Sequence, residues 1–505
     1  MICVIIGCGS HRRMIEEWQK LSDDGVRFVE LRLDYLRKDP QLYRLLPNRP
    51  TAVIATARRK SDGGMWRGTE EQRLKLLRSL IVEGVEYVDL ESDVAPSIPR
   101  FGKTKRVVSY HNMEETPENL DAIRDEILEK CDPDIIKIAV TPNSISDVFR
   151  AVEFLKRANS DRSKPRTIVI SMTEMGFLTR VLGKKWGAPY TYASFSKTRT
   201  MAPGLPYYQD LRDVYRYDSI DKDTEIYGVV ADPIQHSLSP LIHNLSFAAQ
   251  GMNRAYLPFL VPKDDLSDFI GSADQILNVK GLSVTIPHKS EIIKKLTQLD
   301  SAVETIGACN TVILDGGNLY GYNTDYLAAI LSIETAMTGT PPKPGEPSPL
   351  EGLSALVLGA GGAGKALAYG LHERGARVII AARNVAEAEK VASWIGCEYC
   401  SWEERTGYVV QVLANCTSVG MFPNVDESPM ELQYLRGGMT VFDCVYNPET
   451  TYLLRMAREK GCRVVSGVEM FVGQACLQFK LFTGHRASAS YMRNIVRQSL
   501  GSIRE

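Results

Sequence analysis

A lysine inside an apolar run is the first residue of this chain whose type and setting point to chemistry: Lys137, in Ile135-Ile136-Lys137-Ile138-Ala139-Val140. Burial penalises the charged amine and lowers its pKa toward the value a Schiff-base nucleophile needs. The competing reading is a side chain lying along the rim of a fold with its ammonium in water. His111 follows another apolar run, Val107 to Tyr110, and Glu30 and Arg32 lie on Phe28 to Leu33. Alternate residues on a strand share a face, so Glu30 and Arg32 point the same way, and charges inside a barrel strand usually mark its working mouth.

Further along, polar clusters again follow apolar runs: Ser237-Leu238-Ser239-Pro240, Val284-Thr285-Ile286-Pro287-His288-Lys289, Asn310-Thr311 and Asn323-Thr324-Asp325. Hydroxyls and amides at strand ends orient a small polyhydroxy acid, and a Lys near an Asp passes a proton to or from an oxygen whose carbon exchanges hydride. Taken singly, each cluster is also what a helix cap or a turn looks like.

A glycine loop completes the set. The run Ala355 to Leu358 leads into Gly359-Ala360-Gly361-Gly362-Ala363-Gly364, and Lys365 to His372 read as a helix. Gly359, Gly361 and Gly364 fit GxGxxG in the strand-turn-helix setting that binds a dinucleotide, giving a tight turn, close backbone approach to pyrophosphate and close helix packing. The same stretch approaches a nucleotide-triphosphate loop, but Ala366 stands where Ser or Thr must hold magnesium. The next strand, Val378 to Ala381, leads to Arg383 instead of an acid; a guanidinium suits a 2'-phosphate, which predicts NADP.

These groups need frames to hold them. Apolar runs at 3–8, 28–33, 52–57, 87–90, 107–110, 135–140, 167–171 and 190–193 predict about eight strands, separated by helix-length amphipathic stretches such as Glu70 to Glu83 and Pro117 to Lys130. That alternation predicts an α/β chain opening with a closed (β/α)8 barrel. A charged, Tyr-rich segment, Asp210 to Thr224, leads to a second α/β series from Ile226, and the Pro-rich run Pro341 to Pro349 precedes the strand at Ala355. The expected order is a barrel over 1–215, an α/β substrate-binding domain over 224–335, a Rossmann domain over 350–475, and a C-terminal helix over 476–505 returning to the substrate domain.

Sixty Lys and Arg against 61 Asp and Glu leave a net charge of -1, without the long-range field of a nucleic-acid or anionic-membrane binder. No apolar stretch approaches the roughly twenty residues needed to span a bilayer. The first strand-like run begins at Cys3 with no basic leader ahead of it, so a cytoplasmic location is expected. The ten Cys are scattered through apolar runs and read as buried thiols; Cys397 and Cys400 form a CxxC without the second ligand pair a metal would need. Oligomeric state is not predicted.

Residues 226 to 505 resemble shikimate dehydrogenase, through the clusters above and through Asn415-Cys416-Thr417-Ser418-Val419-Gly420-Met421, Asp443-Cys444-Val445-Tyr446-Asn447-Pro448 and Gly467-Val468-Glu469-Met470-Phe471-Val472-Gly473-Gln474. That resemblance implies Ser237, Ser239, Thr285, Asn310, Tyr446 and Gln474 around the substrate, with Lys289 and Asp325 as the catalytic pair. It places Gly359, Gly361, Gly362, Ala363, Gly364, Arg383, Thr417 and Gly467 around NADP. Residues 3 to 206 resemble type I dehydroquinate dehydratase, through Lys137, the His111 and Glu30–Arg32 runs, Asp89-Leu90-Glu91, and Met175-Gly176 ahead of Arg180. In that family the Lys forms an imine with the substrate ketone and the His removes the acidified proton and helps water leave; Lys137 and His111 match those roles. Arg180 would clamp the substrate carboxylate, while Glu30, Arg32, Arg58 and Asp62 line the pocket.

The chain departs from the family patterns at Asp62 (usually Glu), at Met201 and Leu205 (Ser and Gln in Ser-Ala-Pro-Gly-Gln), at Asn384 (often Thr), and at Tyr326 (often Gly), which is placed to shape the pocket. Together the resemblances imply small-molecule chemistry in two steps, 3-dehydroquinate to 3-dehydroshikimate and then to shikimate with NADPH. Three alternatives remain. One is quinate dehydrogenase activity, often with NAD, against which Arg383 argues. The second is a silent barrel acting as a scaffold, motivated by Met201 and Leu205. The third is a Schiff-base aldolase, which shares the Lys but fits the Arg-rich, His-bearing mouth less well.

Overall fold

The computed structural model describes residues 1–199, 201–235, 237–343 and 345–502. In the first part, eight strands fall within a few residues of the apolar runs: β1 Ile2–Ile6, β2 Phe28–Arg32, β3 Ala52–Thr56, β4 Tyr87–Glu91, β5 Lys105–Asn112, β6 Ile135–Val140, β7 Arg166–Ser171 and β8 Thr191–Ser194. Helices separate most of them, as parallel pairing requires. Helix Glu70–Val82 starts at a capping box in which Thr69 and Gln72 satisfy each other's backbone, and helix Leu120–Lys130 starts at Asn119, just beyond Pro117. The strands pair in the order β7-β6-β5-β4-β3-β2-β1-β8. The expected closed ladder is therefore interrupted: β8 is four residues long and pairs with β1, and among the described residues no ladder joins it to β7. Side chains fill the seam, where Ile168 and Ile170 share one apolar cluster with Tyr190 and Tyr192.

Strand alternation sorts the barrel interior into rings. Cys3, Phe28, Ile54, Val107, Ile135 and Ile168 make an apolar floor. Two residues further along the strands come Ile5, Glu30, Thr56, Asp89, Ser109, Lys137, Ile170 and Tyr192, and two further still come Arg32, Arg58, Glu91, His111, Ala139 and Met172. Charge thus begins one ring above the floor and opens toward the strand C-termini.

A mixed sheet follows, with β9 Glu225–Ala231, β10 Arg254–Leu260, β11 Val279–Val284, β12 Gln298–Leu299, β13 Thr311–Asp315 and β14 Asn318–Tyr322 in the order β10-β9-β11-β13-β14-β12. Its β11·β13 and β13·β14 pairs are antiparallel. The third sheet is parallel throughout: β15 Ser354–Leu358, β16 Arg377–Ala382, β17 Glu398–Ser401, β18 Val412–Asn415, β19 Thr440–Asp443 and β20 Arg463–Val465, in the order β17-β16-β15-β18-β19-β20. That is the doubly wound dinucleotide-binding topology, with its switch point between β15 and β18.

Backbone contacts divide the chain into two compact units, one of residues 1–226, 231–235 and 251–279, the other of the remainder. Residues 476 onward comprise the end of helix Gly467–Thr483 and a second helix, Ala489–Ser502, which packs on helix Ser239–Ala249. Gly484, at φ 75°, takes the left-handed turn that separates the two. No helix among the described residues is long and apolar enough to cross a membrane.

Candidate active sites

Lys137, His111, Arg180, Glu30, Arg32, Arg58 and Asp62 all line one cavity of about 100 Å³ at the strand C-termini of the barrel. Lys137 Nζ lies 3.4 Å from Asp89 Oδ2 and 4.5 Å from the Tyr192 ring centroid. Asp89 ties the set together: Arg58 Nη2 lies 2.7 Å from its Oδ2, and Ser109 donates to its Oδ1 at 2.6 Å. Arg58 also donates to Ser109 Oγ at 2.8 Å and to Glu91 Oε1 at 3.1 Å, while Arg73 donates to Glu91 Oε2 at 2.7 Å. Unpaired, such buried charges would cost several kcal/mol each, so this network is what permits a lysine inside the barrel. The rim reading of Lys137 is excluded, because the residue is 7% exposed.

Burial lowers the Lys137 pKa against the pull of Asp89 and Glu30. Burial would raise the Asp89 carboxyl, but Arg58 and Lys137 outweigh it and hold Asp89 ionised well below the usual range. Burial, then Arg58 and Lys137, push His111 well below its ordinary value, which leaves a neutral imidazole fit to accept a proton. Its Nδ1 has no hydrogen-bond partner among the described residues. Burial lowers Arg180 to about 10. Among the described residues its Nε has no hydrogen-bond partner, and its Nη2 donates to the Pro203 carbonyl at 3.5 Å. A buried guanidinium without a counter-charge is a ready receiver for a carboxylate.

The departures at this mouth, Asp62, Met201 and Leu205, are all engaged within the barrel. Asp62 lines the cavity, but its carboxylate is taken by Arg59 at 2.5 Å, and Arg59 also grips Asp93 at 2.7 Å. Met201 folds over Gly7, where a Cβ would sit 1.8 Å from Met201 Cε, and Leu205 joins the apolar cluster of Ile170 and Tyr192. Residues 201–205 line the mouth with apolar side chains. Sequence reasoning missed Tyr192 and Ser109; the period-two spacing of Ser109 with His111, and of Tyr192 with Tyr190, was the available signal.

In the second unit, Lys289 Nζ lies 2.7 Å from Asp325 Oδ2. Backbone bonds pin the segment that carries Lys289: Thr285 N donates to Val230 O at 3.1 Å, and Cys309 N donates to Lys289 O at 2.8 Å. Asp325 sits in the first turn of helix Thr324–Thr338, whose cap Asn323 accepts from Asp325 N at 3.1 Å. Asn310 Oδ1 accepts from Thr324 N at 2.8 Å, and its Nδ2 donates to Thr324 Oγ1 at 2.9 Å. Gln478, which the motifs did not flag, donates to Thr311 Oγ1 at 3.0 Å and accepts from Ser283 at 2.8 Å. It lies one helical turn beyond Gln474, which was the clue to it. Gln474 donates to Phe471 O at 3.0 Å, and Tyr446 stacks on the Phe471 ring at 5.5 Å. Ser239 N donates to Ser237 Oγ at 3.3 Å. Tyr326 packs edge-on to Tyr369 at 5.3 Å and lies against Gly370, joining two helices.

The glycine loop borders a cavity of about 800 Å³ that is also lined by Arg383, Thr417 and Ser418. Gly359 has φ 106°, and a Cβ on Gly364 would sit 1.9 Å from Gly359 O, so both positions require glycine. A Cβ on Gly361 or Gly362 would meet nothing within 4 Å, so that backbone is open for a pyrophosphate to approach. The donor set fits NADP, with Arg383 exposed and free of any ion-pair partner among the described residues. Gly467 does not line this cavity; a Cβ there would sit 2.5 Å from the carbonyl oxygens of Cys444 and Val445, so its glycine serves close packing. All ten cysteines, Cys397 and Cys400 included, are free thiols.

A buried polar link holds the ends of β18 and β19 together. Asn415 Nδ2 donates to Asp443 Oδ1 at 3.0 Å, Asn415 Oδ1 accepts from Thr417 Oγ1 at 2.7 Å, and Asp443 Oδ2 accepts from Thr451 at 2.7 Å. Burial raises the Asp443 pKa from 3.8 to about 6, against hydrogen bonds from Thr451, Val445 N and Asn415. A carboxyl raised in the folded state contributes stability that is complete below its unfolded pKa and lost as pH rises through the folded one. The loss amounts to on the order of 3 kcal/mol. Asp443→Asn is therefore expected to flatten the fall in Tm between about pH 4 and pH 7, as read from thermal melts of both proteins across that range; parallel melting curves would refute the assignment.

With this geometry in place, comparison with known proteins identifies both halves. Residues 2–222 match the family model for type I 3-dehydroquinase, residues 229–312 that for the shikimate dehydrogenase substrate-binding domain, and residues 467–497 that for the shikimate 5'-dehydrogenase C-terminal domain. The chain is 38% identical over 503 residues to the chloroplastic bifunctional 3-dehydroquinate dehydratase/shikimate dehydrogenase of Arabidopsis thaliana, covering 96% of this chain and 82% of that one. It is 38% identical over 278 residues to the NADP(+) shikimate dehydrogenase of Pyrococcus furiosus, covering 55% of this chain and 96% of that one. A solved shikimate dehydrogenase in complex with NADP+ is 31% identical with a TM-score of 0.51, covering 56% of this chain and 97% of that one. The Listeria monocytogenes shikimate 5-dehydrogenase, solved with shikimate and NAD, is 31% identical with a TM-score of 0.50, covering 55% of this chain and 98% of that one. Matched in both halves and along nearly its whole length, the chain belongs to the bifunctional 3-dehydroquinate dehydratase/shikimate dehydrogenase family, in which a lyase is joined to an NADP-dependent oxidoreductase.

Proposed function

We propose that the barrel dehydrates 3-dehydroquinate through an imine on Lys137 and that the second half reduces the resulting 3-dehydroshikimate to shikimate. The observation that carries the first step is the buried Lys137–Asp89–Arg58 arrangement beside a neutral His111. With its pKa lowered by burial, the Lys137 amine attacks the ketone and water is lost to form the imine; the imine acidifies the neighbouring carbon, His111 takes that proton and returns it to the departing hydroxyl, which leaves as water, and hydrolysis of the product imine frees Lys137. Arg180 holds the substrate carboxylate, while Glu30, Arg32 and Arg58 set the polar wall. Asp62 acts through Arg59.

In the second step NADPH, when bound, supplies the hydride. Lys289 donates the proton to the carbonyl oxygen, with Asp325 holding the ammonium at 2.7 Å. Ser237, Ser239, Thr285, Tyr446 and Gln474 orient the substrate, and Asn310 chiefly positions the helix that carries Asp325. The assignment divides the chain into a dehydratase over 1–215, a substrate-binding domain over 224–335, a cofactor domain over 350–475 and a C-terminal helical return over 476–505, acting in the cytoplasm. The test is a coupled assay in which dehydroquinate with NADPH, and dehydroshikimate with NADPH, both consume the nucleotide. Borohydride with dehydroquinate should trap a reduced adduct on Lys137 by mass spectrometry. If only dehydroshikimate is reduced and no adduct forms, the dehydratase assignment fails.

A further inference from the structure

Arg383 is not the only charge in the cofactor cavity. Lys365, in the first turn of helix Gly362–Glu373, and Glu387, in the first turn of helix Val385–Ile395, line the same space. Lys365 Nζ lies 3.0 Å from Glu387 Oε1, with the two side chains 26% and 39% exposed. A half-exposed pair of this kind adds little to stability, so the fold does not need it. The helix carrying Glu387 begins immediately after Arg383, capped by Asn384, whose Oδ1 accepts from Glu387 N at 3.3 Å. Glu387 thus follows Arg383 by four residues, and its carboxylate, on Lys365, shares one cavity with the cation that the cofactor reading assigns to the 2'-phosphate. A phosphate monoester there carries close to two negative charges at neutral pH, and Arg383 alone offsets one.

We propose that Lys365 is a second cation for the 2'-phosphate of NADP and that Glu387 is its resting partner, so that the Lys365–Glu387 pair sets how strongly the site prefers NADP over NAD; this rests on the cofactor assignment above. When the phosphate arrives, the ammonium exchanges a carboxylate for a doubly charged oxyanion, and Glu387 is left close to that oxyanion. Its charge then opposes the phosphate. With NAD no exchange occurs, and Glu387 is free to accept a hydrogen bond from the adenosine ribose 2'-hydroxyl. Glu387 thus narrows the discrimination that Lys365 and Arg383 create. The prediction is asymmetric. Removing the lysine penalises NADP alone, and neutralising the glutamate favours NADP while leaving NAD the same or weaker.

The experiment measures Kd for NADPH and for NADH by calorimetry on the full-length protein, without turnover. Lys365→Met should weaken NADPH about tenfold and change NADH less than twofold, and Lys365→Arg should restore NADPH binding. Glu387→Gln should tighten NADPH several-fold and leave NADH unchanged or weaker. Arg383→Ala serves as the control for the underlying reading. If Arg383→Ala lowers the NADPH:NADH preference while Lys365→Met and Glu387→Gln do not change it, the inference fails and the cofactor assignment stands. If Arg383→Ala leaves the preference intact, the assignment itself is wrong. Equal loss of NADPH and NADH in Lys365→Met would make the lysine a pyrophosphate or structural residue and would also overturn the proposal.

Discussion

Lys137→Ala is expected to abolish dehydration of 3-dehydroquinate, by at least about 10⁴-fold in kcat, while reduction of 3-dehydroshikimate is unchanged. The size of the effect follows from covalent chemistry: without an amine there is no imine, and the carbon acid next to a plain ketone is much weaker. The selectivity follows from placement, because Lys137 lies wholly within the barrel cavity. Loss of the amine does not strand a buried carboxylate, since Asp89 keeps Arg58 at 2.7 Å and Ser109 at 2.6 Å. The variant should therefore fold. Formation of the conjugated enone, followed by ultraviolet absorbance, and adduct mass after borohydride are the two readouts. A variant that still turns over within tenfold of the parent would mean that Lys137 only neutralises Asp89.

The second large effect belongs to the Lys289–Asp325 pair. Lys289→Ala and Asp325→Asn should each lower kcat for dehydroshikimate reduction by about 10²- to 10⁴-fold, the usual worth of a placed proton donor. Neither residue lines the cofactor cavity, so the Kd for NADPH should hold. Because the two side chains touch at 2.7 Å and act as one unit, the double variant should be little worse than either single one. Additive losses would show that the two residues serve separate steps. Stopped-flow reduction with saturating NADPH separates this loss of chemistry from a loss of binding.

Much of this architecture was legible from residue patterns. A lysine flanked by isoleucines leaves open a buried amine or a rim side chain, and period-two spacing puts Glu30 with Arg32 on one face. The glycine loop was readable because each glycine answers a separate steric demand. What escaped was partnership across distant segments. Asp89 was visible as a motif residue, but its role as counter-ion to Arg58 and Lys137 depends on elements that lie far apart in sequence. The same holds for the Asn415–Asp443 link. Gly467 was legible as a motif residue, but the steric demand on it, from the Cys444 and Val445 carbonyls, was not, nor was the packing of Tyr326 on the Tyr369 ring.

Finally, among the described residues no ladder joins β7 to β8, so the sheet of the dehydratase half is rolled and not hydrogen-bonded into a hoop. Uncovered edges recruit other chains, and here the seam is covered by interlocked side chains, Ile168 and Ile170 with Tyr190 and Tyr192, and by the bridge of Ser194 to Tyr207. The barrel is thus held shut by its contents. Anything that loosens this packing, whether heat, a truncating substitution or a mild denaturant, uncovers both edges together, so the lyase half is the one for which partial melting carries a risk of irreversible self-association.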